Sequence, residues 1–420
     1  MKAVVFYGIG DIRLEDVTEP KIQHPQDAIV RLTASAICGT DLHFVRGTIP
    51  GMKPGTILGH EGVGVVEEVG RQVRNFLPGD RVVIPSTIAC GSCLYCRSGY
   101  YSQCNEANPN GATAGTAFYG GPQESGPFQG LQAEFARVPF ANTNLVKLPA
   151  TVSDDQAILL SDIFPTGYFG ADLAQITDGD IVAVFGCGPV GQFAIASAFL
   201  RGAGRVIAID TVQDRLAMAQ EQGAEIIDFN EDDPPSLIEE LTNGTGADRV
   251  IDAVGVDAEP PQKGRAAEKA AQDREQFAQQ VKKIAPEAKP QGALWKPGQA
   301  PSQAVLWAVE SVAKAGTIAI IGVYPGTMKW FPLGNAMEKN LTIQGGNGNH
   351  RRYIPELLQL VQAGEIDPER VLTKREPLMS ALDAYKQFDQ RKPGWIKVEL
   401  ETNGHTETSV PRFAVEEVSR

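Results

Sequence analysis

The sequence predicts a two-domain α/β protein in which a mostly-β domain is interrupted by a second domain built on a parallel sheet. Three observations carry this prediction. Short β-branched runs bounded by Gly, Pro and Asp fill residues 1–150. From about residue 151 short apolar runs alternate with helical stretches, as in a parallel sheet with crossover helices. The first of those apolar runs ends in a glycine-rich turn that opens a helix. At 420 residues and 42% hydrophobic, the chain can bury two cores of ordinary size.

In chain order, KAVVFYG, AIVRLTASAI, EGVGVVEEVG and DRVVIP are the predicted strands of the first domain. A cysteine-rich lobe at about 88–106 and a glycine-rich stretch at 108–130 interrupt them as loops. TVSDDQAILLSDIFPTGYFGADLA has helical periodicity behind a Ser or Asp cap. IVAVFG, RVIAID, AEIIDF, RVIDAVG and TIAIIG are the predicted strands of the parallel sheet. Residues 257–303 break this rhythm: the middle is charged and rich in Ala and Gln, and the ends are rich in Pro and Gly. They are read as an insertion on the sheet domain, which spans 151–330. From 331 to 420 the chain is expected to return to the first domain, ending in the strand WIKVEL and a polar arm over the last twenty residues.

Four of the six cysteines fall in CGSCLYCRSGYYSQC. Bridges between cysteines three apart would be strained. Cys90, Cys93, Cys96 and Cys104 instead have the spacing of a four-thiolate zinc site, with an iron–sulfur centre as the rival reading. Four thiolates leave no open position, so such a zinc stabilises the lobe and does no chemistry.

VFGCGPVGQ carries G-x-G-x-x-G at a strand end. Gly186 permits the tight turn, Gly188 lets a pyrophosphate approach the backbone, and Gly191 lets helix and strand pack closely. The amides near Pro189 and Val190 form a helix N-terminus that favours anions. Asp210 closes RVIAID about twenty residues on, placed for the adenosine ribose hydroxyls, and its charge would repel a 2′-phosphate. NAD is therefore expected rather than NADP. Arg215 either lies along the adenine or is a solvated helix residue.

AICGTDLHF contributes Cys38, Thr40, Asp41 and His43, and ILGHEGVGVV contributes His60 and Glu61. Catalytic zinc takes three protein ligands and keeps one position open. Cys38 and His60 are two candidates, and a third must come from elsewhere.

CGTDLH, GHEGVG, the four-cysteine lobe and GCGPVG occur in the order seen in zinc-dependent medium-chain alcohol dehydrogenases, a family this chain resembles over nearly all of residues 1–400. The resemblance implies a GroES-like catalytic domain and a Rossmann domain with a doubly wound parallel sheet. It implies two zinc ions and NAD, and a small alcohol or aldehyde substrate taken in the cleft. It points to Asp162 as third ligand, where the most familiar members carry cysteine, and so to the formaldehyde dehydrogenase and aldehyde dismutase branch. The alternative is that Asp162 caps a helix and Glu61 is the ligand. In the first case Glu61 would visit the metal when a ligand leaves.

By the same resemblance Thr40 bonds the substrate oxygen, His43 passes the proton to solvent, and Asp41 orients His60. Lys397 contacts the pyrophosphate, or is simply solvated. The insertion covers the adenine end of the cofactor, or serves as a subunit contact. Ser86 replaces a bulky aromatic of some relatives and suggests a roomy pocket. His24, His350 and His405 are read as ordinary polar residues, and Cys187 as a small filler. A homodimer or homotetramer is implied.

The net charge of −13 argues against nucleic acid or an anionic membrane as partner. With no signal-peptide pattern and no apolar run of spanning length, the expected compartment is the cytoplasm.

Overall fold

Residues 1–402 are described in a computed structural model, and the predicted polar arm with His405 lies outside the described residues from position 403 on. Among the described residues no helix is long and apolar enough to cross a membrane.

The second domain holds a six-stranded, wholly parallel sheet. Its spatial order is Glu225–Asp228, Arg205–Asp210, Ile181–Phe185, Ala247–Asp252, Val312–Ile320, Thr342–Gly345. The strand earliest in sequence sits in the middle, and the winding reverses there, which opens a crevice at the strand ends. Alternate residues of the central strands enter different cores. Val182, Val184, Val206 and Ala208 pack with Ala194 and Ile195. Ala183, Phe185, Ile207 and Ile209 pack with Ile238 and Trp307. Both faces are covered, so these strands read as continuous apolar runs rather than alternations.

The first domain is a mixed sheet ordered Lys374–Pro377, Val398–Glu401, Ala28–Ile37, Gly62–Val69, Arg81–Ile84, Val146–Lys147, with Phe135–Val138 also paired to Ala28–Ile37. Lys2–Gly8 forms a small sheet with Asp11–Asp16 and Thr56–Ile57.

The expected return at residue 331 is corrected. Thr342–Gly345 still pairs with the parallel sheet, from Thr317↔Thr342 to Ile320↔Gly345. This edge strand is four residues long, mostly exposed and carries Thr and Gln, so it lacks the apolar run that marks its neighbours. The chain rejoins the mixed sheet only at Lys374–Pro377 and Val398–Glu401.

The helical stretch after residue 151 is two helices. Ser153 caps Asp154–Ser161 by accepting from the Gln156 N–H, and the chain breaks at Asp162 before Ile163–Leu173 begins. The insertion forms helices Gly264–Ala270 and Arg274–Ile284 and then leaves the parallel sheet. Its Trp295 is buried in the first domain's core with Val4, Phe6, Leu42 and Leu58, and Gln291 donates to the Gly10 carbonyl at 3.1 Å.

Candidate active site and metal centres

In the cysteine lobe the four ligand sulfurs of Cys90, Cys93, Cys96 and Cys104 lie within 4.8 Å of one another. The Cys90–Cys96 and Cys93–Cys104 sulfur separations are 4.0 and 3.9 Å, far beyond a disulfide bond and suited to four ligands around one ion. Backbone N–H groups of Ser92 and Cys93 donate to the Cys90 sulfur at 3.4 and 3.3 Å. Burial opposes ionisation of Cys93, yet the Cys96 and Asn105 amides and the neighbouring thiols hold it at about 6. In the same cluster burial pushes the Cys96 and Cys104 thiols up, so the four sulfurs share their protons unevenly until a cation replaces them.

The second cluster is Cys38, His60, Glu61 and Asp162, all buried, with their ligand atoms within 4.8 Å of one another. Cys38 precedes helix Gly39–Arg46, and its N–H donates to Asp41 Oδ2 at 2.9 Å, closing a capping box. That turn fixes the Cys38 sulfur relative to Thr40 and His43. Asp41 Oδ1 lies 3.3 Å from His60 Nδ1, and these two atoms have no hydrogen-bond partner of good geometry. His60 Nε2 and the Cys38 sulfur lie 3.5 and 3.7 Å from Asp162 Oδ2. Burial disfavours a charged His60, but Asp41, Cys38 and Asp162 outweigh it and raise its pKa well above the ordinary range. The donors favour positive charge at their centre, whether a proton on the imidazole or a metal ion. Asp162 lies at the helix junction without a side-chain capping bond, so it is not spent as a cap.

The cluster opens into a cavity of about 360 Å³ between the two domains, which Thr40, His43 and His60 line together with Gly186, Gly188, Pro189, Val190 and Asp210. Gly186 has φ +88°, and a Cβ on Gly191 would lie 1.8 Å from the Gly186 carbonyl oxygen, so both positions demand glycine. Asp210 accepts from the amides of Cys187, Thr211 and Val212 at 2.7–3.0 Å, which holds it at the cavity wall. These residues fit a dinucleotide, and the buried donor set fits zinc.

Several expectations are corrected. His43 does not reach solvent: it is 4% exposed, with Nδ1 2.8 Å from Thr48 Oγ1 and 3.4 Å from Asp257 Oδ2. Lys397 is neither solvated nor turned to a pyrophosphate. It is fully buried, and its amine meets Glu61 Oε1 and Oε2 at 2.6 and 2.5 Å. Glu61 is therefore engaged by Lys397 beside the cluster. Arg215 is not solvated either, and its Nη1 lies 3.8 Å from Asp210 Oδ2 on the cavity wall.

His350 and Ser86 do more than their sequence context suggests. His350 Nε2 lies 2.7 Å from Asp162 Oδ1, and the Ser86 hydroxyl donates to the same oxygen at 2.8 Å. A lone histidine 188 positions from Asp162 has no local pattern to betray it. Two further residues, Arg46 and Asp257, carry no motif and meet only in the fold.

Residues 24–150 match the alcohol dehydrogenase GroES-like domain family, and residues 189–263 the zinc-binding dehydrogenase family. The chain is 39% identical over 404 residues to an uncharacterised zinc-type alcohol dehydrogenase-like protein, AdhB, of Bacillus subtilis, covering 95% of this chain and all of that one. It is 40% identical over 268 residues to a glutathione-independent formaldehyde dehydrogenase of Pseudomonas aeruginosa, covering 61% of this chain and 66% of that one. Among solved structures it is similar to the alcohol dehydrogenase TADH from Thermus sp. ATN1, with TM-score 0.76, 36% identity, and coverage of 96% of this chain and all of that one.

Proposed function

The chain belongs to the zinc-dependent medium-chain alcohol dehydrogenase family, and on that premise we propose that it transfers hydride between an alcohol or a hydrated aldehyde and NAD, in the manner of the formaldehyde dehydrogenase branch. It is an oxidoreductase whose cofactors are zinc and a nicotinamide dinucleotide. The observation that carries the finer reading is the carboxylate of Asp162, set with Cys38 and His60 against the cavity that also meets the glycine turn.

Cys38, His60 and Asp162 would hold a zinc ion, which when bound would supply Lewis acidity toward the substrate oxygen, and the glycine turn would hold NAD as the hydride acceptor. The Thr40 hydroxyl takes the substrate's proton. His43 is the next group to hold that proton and takes it at Nε2, because the Thr48 hydroxyl lies 2.8 Å from Nδ1. Asp41 orients His60 through Nδ1. Lys397 keeps Glu61 paired beside the metal site. Asp210 selects NAD by repelling a 2′-phosphate. The lobe cysteines would hold the second zinc.

A second reading, an aldehyde dismutase that retains its NAD, is favoured by one observation: the insertion crosses the cleft and buries Trp295 in the opposite domain. Denaturing the desalted protein and measuring released nucleotide separates the two. Near-stoichiometric NAD(H), with aldehyde dismutation and no added cofactor, supports the dismutase. An empty protein that turns over only with added NAD supports the dehydrogenase. Loss of all turnover with zinc and nucleotide binding intact would sink both.

We propose a homodimer or homotetramer, with the open strand edge at Thr342–Gly345 and exposed Leu333 and Met337 as the surface to cover. Light scattering tests it. The reducing cytoplasm is the compartment we propose, because it keeps the five candidate zinc thiols out of disulfides.

A further inference from the structure

A carboxylate in place of a thiolate brings a problem a cysteine ligand does not have. It carries a second oxygen that must be satisfied, or it will compete for the metal. The two oxygens of Asp162 face different surroundings. Oδ2 faces the cluster, 3.5 Å from His60 Nε2 and 3.7 Å from the Cys38 sulfur. Oδ1 faces away and gathers donors: His350 Nε2 at 2.7 Å, the Ser86 hydroxyl at 2.8 Å and the Thr166 hydroxyl at 3.4 Å.

Each ring nitrogen of His350 has a hydroxyl beside it, Thr166 Oγ1 at 2.9 Å from Nε2 and Thr87 Oγ1 at 3.2 Å from Nδ1, and only Nε2 also meets a carboxylate. An ionised carboxylate can only accept, so Nε2 carries the hydrogen toward Asp162. The Thr87 hydroxyl can then donate to Nδ1. His350 begins helix His350–Ala363, whose Tyr353, Ile354 and Leu357 pack with Leu159, Leu160 and Phe164 from the two helices that flank Asp162. The imidazole is thereby anchored to the elements that carry the carboxylate it touches.

We propose that His350 and Ser86 are positioning residues that make Asp162 a one-oxygen ligand of the catalytic metal. They hold Oδ1 out of the coordination sphere and draw charge from the carboxylate. Coordination stays at three protein ligands, and the remaining position stays open for substrate. Ser86 is then not a vacancy left by an aromatic but a donor that the carboxylate requires. This rests on the reading of Asp162 as a metal ligand.

The test uses the full-length protein in its zinc and cobalt(II) forms. His350→Ala and Ser86→Ala are each expected to lower affinity at the catalytic metal about 10- to 100-fold in a chelator competition. They are also expected to shift the cobalt d–d bands toward higher coordination, while the lobe keeps one equivalent of metal. His350→Gln, which retains a donor at similar reach, is expected to restore most of the affinity. In an Asp162→Cys background, His350→Ala is expected to change nothing, because a thiolate has no second oxygen to restrain. Equal losses in both backgrounds would mean that His350 acts on the fold and not through Asp162. Unchanged affinity and spectra in both alanine variants and in their double would overturn the proposal outright. The underlying reading fails in a different way: Asp162→Ala that keeps two equivalents of metal would remove Asp162 as a ligand altogether.

Discussion

Nδ1 of His43 lies 3.4 Å from Oδ2 of Asp257, a contact that joins the two domains across the cleft. The same carboxylate takes the Arg46 guanidinium, and the Gly298 amide of the insertion donates to its other oxygen at 3.2 Å. Arg46 reaches on to Asp389 Oδ1 at 2.9 Å, and Asp389 Oδ2 accepts from the Trp295 amide at 2.9 Å. Three charged side chains and one imidazole thus form a buried bolt. Separating its halves would leave charges without partners, which favours the closed arrangement.

Asp257→Asn is expected to loosen that bolt. The amide cannot balance Arg46, and breaking a buried pair costs about 3–5 kcal/mol. Bound nucleotide should be lost faster on desalting, and stopped-flow displacement of the reduced cofactor would show a faster off-rate. An unchanged off-rate and unchanged thermal midpoint would deny the bolt any part in retention.

His43 gives a pH signature. Burial lowers its pKa, and the Asp257 charge only partly opposes this, while Arg46 adds to it. The folded imidazole is therefore neutral where the unfolded one begins to bind a proton, near about 6.5. The unfolded state then holds more protons, so stability rises with pH through the window just below that value. His43→Gln should flatten that part of the profile, read as the urea midpoint at pH 5.5 against pH 7.5.

Asp210→Asn keeps an acceptor for the Thr211 and Val212 amides, gives up the one for the Cys187 amide, and removes the charge. The ratio of kcat/KM for NAD over NADP should fall, by about 10-fold for each ~1.4 kcal/mol of repulsion relieved. A ratio that does not move would mean that the adenosine ribose is read elsewhere.

Cys93→Ser should drop zinc from two equivalents to one and lower the thermal midpoint, because a structural zinc contributes its binding energy to folding. Iron in the purified protein, or a lobe unchanged by the substitution, would decide against the zinc reading.

Much of this was legible because its causes are local. The glycine turn is required by φ at Gly186 and by contact at Gly191, and the lobe by the spacing of its sulfurs. The central parallel strands announce themselves because both faces are covered. What failed was what depends on tertiary partners. Thr342–Gly345 is an exposed edge with no apolar run. His350 acquires its role from a residue 188 positions away, and Lys397 from Glu61, 336 positions away. His43 looked solvent-facing until the start of the insertion supplied Asp257 to cover it.

The Glu61–Lys397 pair supplies the last prediction. Both side chains are fully buried beside the metal cluster, and Lys397 also donates to the Ile37 carbonyl at 3.2 Å. Burial works against the charged amine, but Glu61 and then Cys38 outweigh it and raise the Lys397 pKa. A group whose folded pKa is raised stabilises the protein below its unfolded pKa and loses that contribution as pH climbs through the folded one, so the pair should hold well into the alkaline range. Lys397→Met leaves the Glu61 carboxylate buried and unpaired, at a cost of about 3–5 kcal/mol. The freed carboxylate lies among Cys38, His60 and Asp162 and can occupy the open position of the metal. The variant should therefore keep its zinc yet lose kcat, and its cobalt(II) spectrum should no longer respond to an alcohol analogue. Adding Glu61→Gln removes the competing charge and should recover part of both the stability and the spectral response. If the double variant recovers neither, Lys397 serves the fold and not the metal's open position.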